Sequence, residues 1–276
     1  MPDITTILIV APVLLGVGAI AGTLAGLLGV GGGIVIVPAL FWLTQTSLLG
    51  VAPDVAMHFA VATSLATIIP TSISSARAHH RKGSVDMTLF RAWAPFVAVG
   101  ALGGGLLAVQ VDAAVLTGIF GVIAILVSLN MLNPRPFTLA DAPPSSFVGR
   151  GSIAVPIGGF SATMGIGGGT LSVPVLTLLS FPVHRAVGTA ALFGLVISIP
   201  GVVSFALAGQ DIDGVLPGSL GYINVPAAIA ISVATFLFAP LGVRIAHKLN
   251  ANRLRLVFAV FLGVSAVRML IAAFAA

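Results

Sequence analysis

The groups best placed to do chemistry in this chain belong to the backbone rather than to side chains. Two glycine clusters, Gly29-Val-Gly31-Gly32-Gly33 and Gly165-Ile-Gly167-Gly168-Gly169, each lead into a short apolar run. Three successive glycines in a helix interior cost ~2–3 kcal/mol relative to alanine. A break of this kind frees N–H groups at the start of the next half-helix, where the dipole favours an anion. Glycine also lets a ligand approach the backbone closely. Gly31, Gly32, Gly33, Gly167, Gly168 and Gly169 are therefore candidate ligand contacts. Pro38 and Pro174 follow five residues later and are expected near the first turn, where a missing N–H matters less. The bland alternative is close helix packing through small residues. Gly29-x-Gly31 is not a dinucleotide fingerprint, because no strand precedes it and no acid follows at the usual spacing.

Hydroxyl, imidazole and guanidinium groups complete the candidates. Thr63, Ser64 and Thr67 lie in one apolar run, and Thr63 and Thr67 share a helix face at i, i+4. Thr189 is their counterpart in a later run, and Thr170 opens the run after the second glycine cluster. Their hydroxyls could donate to an oxyanion, or bond their own helix backbone. Ser161 and Thr163 make a weaker version of the same case. His58 and His184 are candidates for gating or proton binding, with interfacial capping as the alternative. Arg185 could attract anions or serve as a positive anchor. Arg268 falls well inside the last apolar run. A membrane-centre arginine costs ~2.5–3.5 kcal/mol on insertion scales, so it should face a cavity, a partner or the interface. No acid lies mid-run, which argues against a carboxylate relay or a metal site. The chain has no Cys and no Glu, and no cofactor is expected.

The elements that must hold these residues follow from composition. Of 276 residues, 58% are hydrophobic and 7% charged, with a net charge of +5. Soluble domains carry about 25% charged residues. This excludes a soluble enzyme, a nucleic-acid binder and a disordered chain, and demands lipid as solvent. Apolar runs cover 7–28, 34–49, 56–76, 90–110, 114–132, 147–164, 170–181, 187–208, 221–245 and 254–275. Their unbroken apolar character predicts helices, not alternating barrel strands. The runs at 34–49 and 170–181 are short and predict half-helices or re-entrant arms. The expected fold is an all-α polytopic membrane protein with about ten hydrophobic segments in two inverted-topology repeats.

Internal similarity supports the repeat. Gly29–Pro38 and Gly165–Pro174 share six of ten positions at an offset of 136. His58-Phe-Ala-Val-Ala-Thr63 matches His184-Arg-Ala-Val-Gly-Thr189 at an offset of 126. Asp86 falls opposite Asp213, and Gly104 opposite Gly242. The predicted division is a first transmembrane repeat at 1–132, a cytoplasmic linker at 133–146 and a second, inverted repeat at 147–276. With ten segments, 11 of the 12 Lys and Arg residues sit in loops on one side. Such bias marks the cytoplasmic face, so both termini are expected outside. Paired breaks in matching places point to the central site of a transporter.

The paired glycine motifs, the His-x-x-Val-x-Thr element after each and the ten-run hydropathy resemble the sulfite exporter TauE/SafE family of membrane permeases (TSUP). The resemblance covers nearly the whole chain. It implies a non-enzymatic transporter in the cell (inner) membrane, moving small sulfur-containing anions such as sulfite, sulfate, thiosulfate or organosulfonates. Lipid is the other expected partner, a homo-oligomer is compatible with it, and nucleic acid is not. The second copy departs from the first in having Ala190 and Ala191 where the first has Ser64 and Leu65. The competing reading is an anion channel with the same dipole-lined centre. An intramembrane enzyme ranks last, for want of a metal-binding or nucleophile motif.

Overall fold

The computed structural model describes residues 4–46, 51–133, 140–210, 218–246 and 251–275. Ten helices occur among them: α1 (Ile4–Leu28), α2 (Gly33–Thr44), α3 (Ala56–Arg81), α4 (Met87–Ala108), α5 (Ala113–Leu132), α6 (Phe147–Thr163), α7 (Gly169–Leu178), α8 (Val183–Ala208), α9 (Val225–Ala246) and α10 (Ala251–Ala275). A small antiparallel hairpin, β1 (Ser219–Leu220) and β2 (Ile223–Asn224), precedes α9. Six of the helices contain described stretches long and apolar enough to cross a bilayer, while α2 and α7 are too short. The protein is an all-α polytopic membrane protein. Its outward faces carry Val99, Leu107, Leu126, Leu237 and Ile271, and its interior holds the hydroxyls of Thr63, Ser64, Thr67, Thr71 and Thr189.

Glycine sets which helices touch. With no hydrophobic drive between helices in lipid, association relies on close backbone approach. A Cβ on Gly22 of α1 would strike Thr235 of α9, and one on Gly26 would strike the Ala239 carbonyl. On the other side, a Cβ on Gly104 of α4 or Gly158 of α6 would overlap the partner's backbone at Gly159 or Val97. Residue numbers rise together in both pairs, so α1 runs parallel to α9 and α4 parallel to α6. Leu65 meets Gly201 while Ser72 meets Gly194, so α3 and α8 cross antiparallel.

The packing maps onto itself when α1–α5 and α6–α10 are exchanged. The α1–α9 pair becomes α6–α4, the α3–α9 pair becomes α8–α4, and α2–α3 becomes α7–α8. The α3–α8 and α5–α10 pairs map onto themselves. The closest packing therefore crosses the sequence halves: α1 and α3 pack on α9, α6 and α8 pack on α4, and α3 and α8 join the two groups. Among the described residues, Arg77, Arg81, Lys82, Arg91, Arg150, Arg185 and Arg244 gather at one end of the bundle, where α3 and α9 finish and α4, α6 and α8 begin. Asp54 and Asp112 lie at the other end.

Two matched threonines each fasten helices within one group, Thr189 joining α8 to α4 and Thr63 joining α3 to α9. Asp86 caps α4, its Oδ1 accepting from Leu89 N at 2.9 Å, while its own N–H donates to Thr189 Oγ1 at 2.9 Å. Asn224 does the same ahead of α9: Oδ1 accepts from Ala227 N at 2.9 Å, and its N–H donates to Thr63 Oγ1 at 3.0 Å. Asn224 is thus a capping counterpart of Asp86; Asp213, the counterpart expected from the sequence, lies outside the described residues. A capping role needs only an accepting oxygen, which amide and carboxylate share, so residue identity was a poor guide to the correspondence.

Removing either threonine acceptor strands an N–H that is buried at Asn224 and part-buried at Asp86, at about 1–3 kcal/mol for a buried group. Thr63→Val and Thr189→Val should therefore lower the detergent melting temperature by similar amounts. Gly22→Leu and Gly104→Leu should do more and disturb monodispersity. Gly16, with nothing within 4 Å of its would-be Cβ, should accept alanine with no loss. Thermal unfolding with size-exclusion chromatography checks all five.

Candidate functional site

The two glycine breaks meet at the centre of the bundle. A Cβ on Gly31 would lie 2.8 Å from Gly167 Cα, and one on Gly167 would lie 2.7 Å from Gly31 Cα. Gly33 abuts Gly165 and Ile166, and Gly169 abuts Gly29 and Val30. No side chain fits at these contacts, so the run of glycines is a steric requirement of the crossing. Some positions also need the left-handed backbone: φ is 73° at Gly31, 80° at Gly32 and 65° at Gly165. Gly168 is different, with φ −54° in the ordinary helical region, and it presses on Phe193 of α8. The two breaks are similar in position but not identical in backbone path.

From this crossing α2 and α7 depart as half-helices of 12 and 10 residues. The first residue of each, Gly33 and Gly169, lies against the other break, while Val35 and Ile36 N–H already donate to Gly32 O at 3.0 and 3.1 Å and Thr170 N–H donates to Gly167 O at 3.4 Å. Pro38 and Pro174 prove to be the sixth residue of each helix, in the second turn rather than the first. Each removes the N–H that would have met a carbonyl four residues back, at Ile34 or Thr170.

The hydroxyls divide into two groups. Ser64 Oγ donates to the Gly165 carbonyl at 2.8 Å, tying α3 to the second break. Thr67 donates to Ser64 O at 2.6 Å, and Thr63 and Thr189 accept the capping N–H groups described above. These four hold the scaffold around the centre. By contrast, Thr170 Oγ1 at the start of α7, Ser172 Oγ one turn in, and Ser161 Oγ in the last turn of α6 are buried without a hydrogen-bond partner. Ser72 Oγ on α3 is in the same state. Buried hydroxyls are normally paired; Ser265 Oγ on α10 and His58 Nδ1, away from the breaks, also lack partners, so it is the grouping of Ser161, Thr170 and Ser172 around the second break that sets these hydroxyls apart. Ser72 and Ser172 were missed by sequence reasoning. Both sit in apolar runs near the breaks, and only the packing shows that they lack partners.

The charged candidates lie away from the crossing. His58, at the start of α3, sets Nε2 against Ala108 O at 3.1 Å and Val111 O at 2.9 Å, and its ring stacks on Tyr222 at 5.0 Å. It links α3 to the α4–α5 turn. Burial pushes the Tyr222 phenol up. His184, at the matching sequence place, is exposed at the basic end. Arg185 pairs with Asp86 at 2.6 Å and lies over the Phe181 ring; with Arg185 half exposed, the pair adds little stability. Arg268 is exposed on α10, with its guanidinium 5.8 Å from the Trp42 ring of α2. Its charge is met by an aromatic face. Among the described residues no cluster of His or Asp is fit to hold a metal.

The sequence pattern described as sulfite exporter TauE/SafE matches residues 14–269. A protein of Haemophilus influenzae described as a probable membrane transporter is 35% identical over 257 residues, covering 92% of this chain and 95% of that protein. A probable membrane transporter of Methanocaldococcus jannaschii is 28% identical, covering 96% and 97% respectively. Another from Bacillus subtilis is 29% identical, covering 91% and 93%. No solved structure matches. With its paired glycine breaks inside a membrane-spanning bundle and a match across almost its whole length, the chain belongs to the sulfite exporter TauE/SafE family of membrane transporters.

Proposed function

We propose that this protein is a secondary transporter of small sulfur-containing anions (sulfite, sulfate, thiosulfate or organosulfonates) in the cell membrane. Its guest binds where the two glycine breaks meet. The observation that carries this reading is the set of buried, partnerless hydroxyls of Ser161, Thr170 and Ser172 around two converging half-helix N-termini. N–H groups and hydroxyls are donors, and a tetrahedral or pyramidal oxyanion is all acceptors, so the two complement each other. The positive ends of the half-helix dipoles add a field that favours negative charge. Gly31, Gly32, Gly33, Gly167, Gly168 and Gly169 supply the approach, with Thr170 as the nearest side-chain donor in α7.

In this reading, transport proceeds by rocking of the α1–α3–α9 body against the α4–α6–α8 body, with the glycine contact and the α3–α8 crossing as the surfaces that part. The basic end faces the cytoplasm by the charge rule, and both termini face outward. The family assignment supports a transporter, and the sulfur-anion chemistry follows the family's description.

Two experiments test the proposal. Removing a hydroxyl that has no partner should not cost stability, so Ser161→Ala, Thr170→Val and Ser172→Ala should keep the melting temperature of the parent. In proteoliposomes loaded with radiolabelled sulfite or thiosulfate, the same variants should slow saturable uptake by about tenfold each, the weight of one hydrogen bond to a charged group. Stable variants with unchanged uptake would remove these donors from the site. For orientation, the natural lack of cysteine is useful. A membrane-impermeant maleimide on intact cells should label Gln110→Cys and spare Lys82→Cys; the reverse pattern would turn the topology over.

A further inference from the structure

Ile68 of α3 is wholly buried at the crossing of α3 and α8. At the 126-residue correspondence its counterpart is Gly194, and these two residues face one another: a methyl group on Gly194 would lie 3.6 Å from Ile68 Cγ2. A residue on a two-fold axis meets its own counterpart, and two isoleucines there would collide. Here one copy carries the branched side chain and the other carries none. Ile68 also reaches the first glycine break. Its Cγ2 would lie 3.4 Å from a Cβ on Gly31, and its Cδ1 3.0 Å from a Cβ on Gly33. One aliphatic side chain thus fills the space bounded by the break and the Gly194 notch.

One turn along α3, Ser72 points its Oγ into the same notch, close enough that any Cβ on Gly194 would overlap it. That hydroxyl is wholly buried and has no partner. We infer that Ile68 sets the size limit of the guest and that Ser72 Oγ is a donor to it, across the notch left by Gly194. This rests on the anion-transport reading given above. The apolar branch makes no hydrogen bonds, so moving it aside breaks none, while an arriving oxyanion satisfies the orphan hydroxyl. The larger the group attached to the oxyanion, the further Ile68 must move.

The test is competitive uptake of sulfite, methanesulfonate, ethanesulfonate and propanesulfonate into proteoliposomes by the full chain and its variants. Ile68→Ala should raise propanesulfonate uptake relative to sulfite by about tenfold or more, the usual discrimination for a methylene or two in an apolar pocket, and Ile68→Val should shift the ratio part of the way. Ile231→Ala removes an equally buried isoleucine where α9 packs on Gly18 of α1, and should leave the ratio unchanged. Ser72→Ala should weaken uptake of every member of the series by about tenfold with no fall in melting temperature. If Ile68→Ala fails to fold, the Ile68→Val ratio decides. An unchanged ratio in folded Ile68 variants, or a ratio that moves equally in Ile231→Ala, overturns the size-limit assignment while leaving anion transport intact. Ser72→Ala with full uptake overturns the donor assignment. No saturable anion uptake by the unaltered chain overturns the parent reading, and this inference with it.

Discussion

Everything in this structure depends on how closely two polypeptide backbones can approach when side chains are absent. Lipid gives helices no hydrophobic reason to associate, because the tails are as apolar as leucine. What remains is packing and polar contact, and both improve as backbones draw near. The chain removes Cβ atoms wherever helices must touch: Gly22 and Gly26 against α9, Gly104 and Gly158 between α4 and α6, and Gly31 against Gly167 at the centre. At the last of these the close approach also breaks the helices. The contact that closes the bundle therefore also exposes helix N-termini in its middle.

That double role explains the distribution of polar groups. The first set of hydroxyls repairs the scaffold, with Ser64 bonded to the Gly165 carbonyl and Thr63 and Thr189 receiving the N–H groups of the two capping residues. The second set is left without partners, which is costly in an apolar interior. The halves are unequal in this respect. Thr170 and Ser172 of α7 correspond to Ile34 and Ile36 of α2, and Ser64 and Thr67 of α3 correspond to Ala190 and Phe193 of α8. Two-fold packing thus encloses a chemically asymmetric centre.

Much of the fold was legible before any coordinates. Lipid is so undemanding a solvent that long apolar runs had to be helices, and the runs at 34–49 and 170–181 were too short to cross, as α2 and α7 are. Duplication of the glycine motif placed the candidate site in the two breaks. The charged candidates were open to two readings in the sequence, a functional one and a structural one. His58, Arg185 and Arg268 were marked by residue type, yet they proved to be engaged with backbone carbonyls, a carboxylate and an indole ring away from the crossing. Ionisable side chains near membrane surfaces have many ways to be satisfied, and their identity alone does not choose among them.

The sequence by itself determined the solvent, the helical class, the repeat and the position of the two breaks, because each of these follows from local composition and spacing. Tertiary structure alone decided that α1 packs chiefly on α9, that Asn224 repeats the capping bonds of Asp86, and which hydroxyls lack partners. It also set Ile68 against Gly194. These facts depend on which backbones meet across a hundred residues or more of chain. A pairwise contact of that kind leaves no periodic trace in either segment, so only the folded arrangement reveals it.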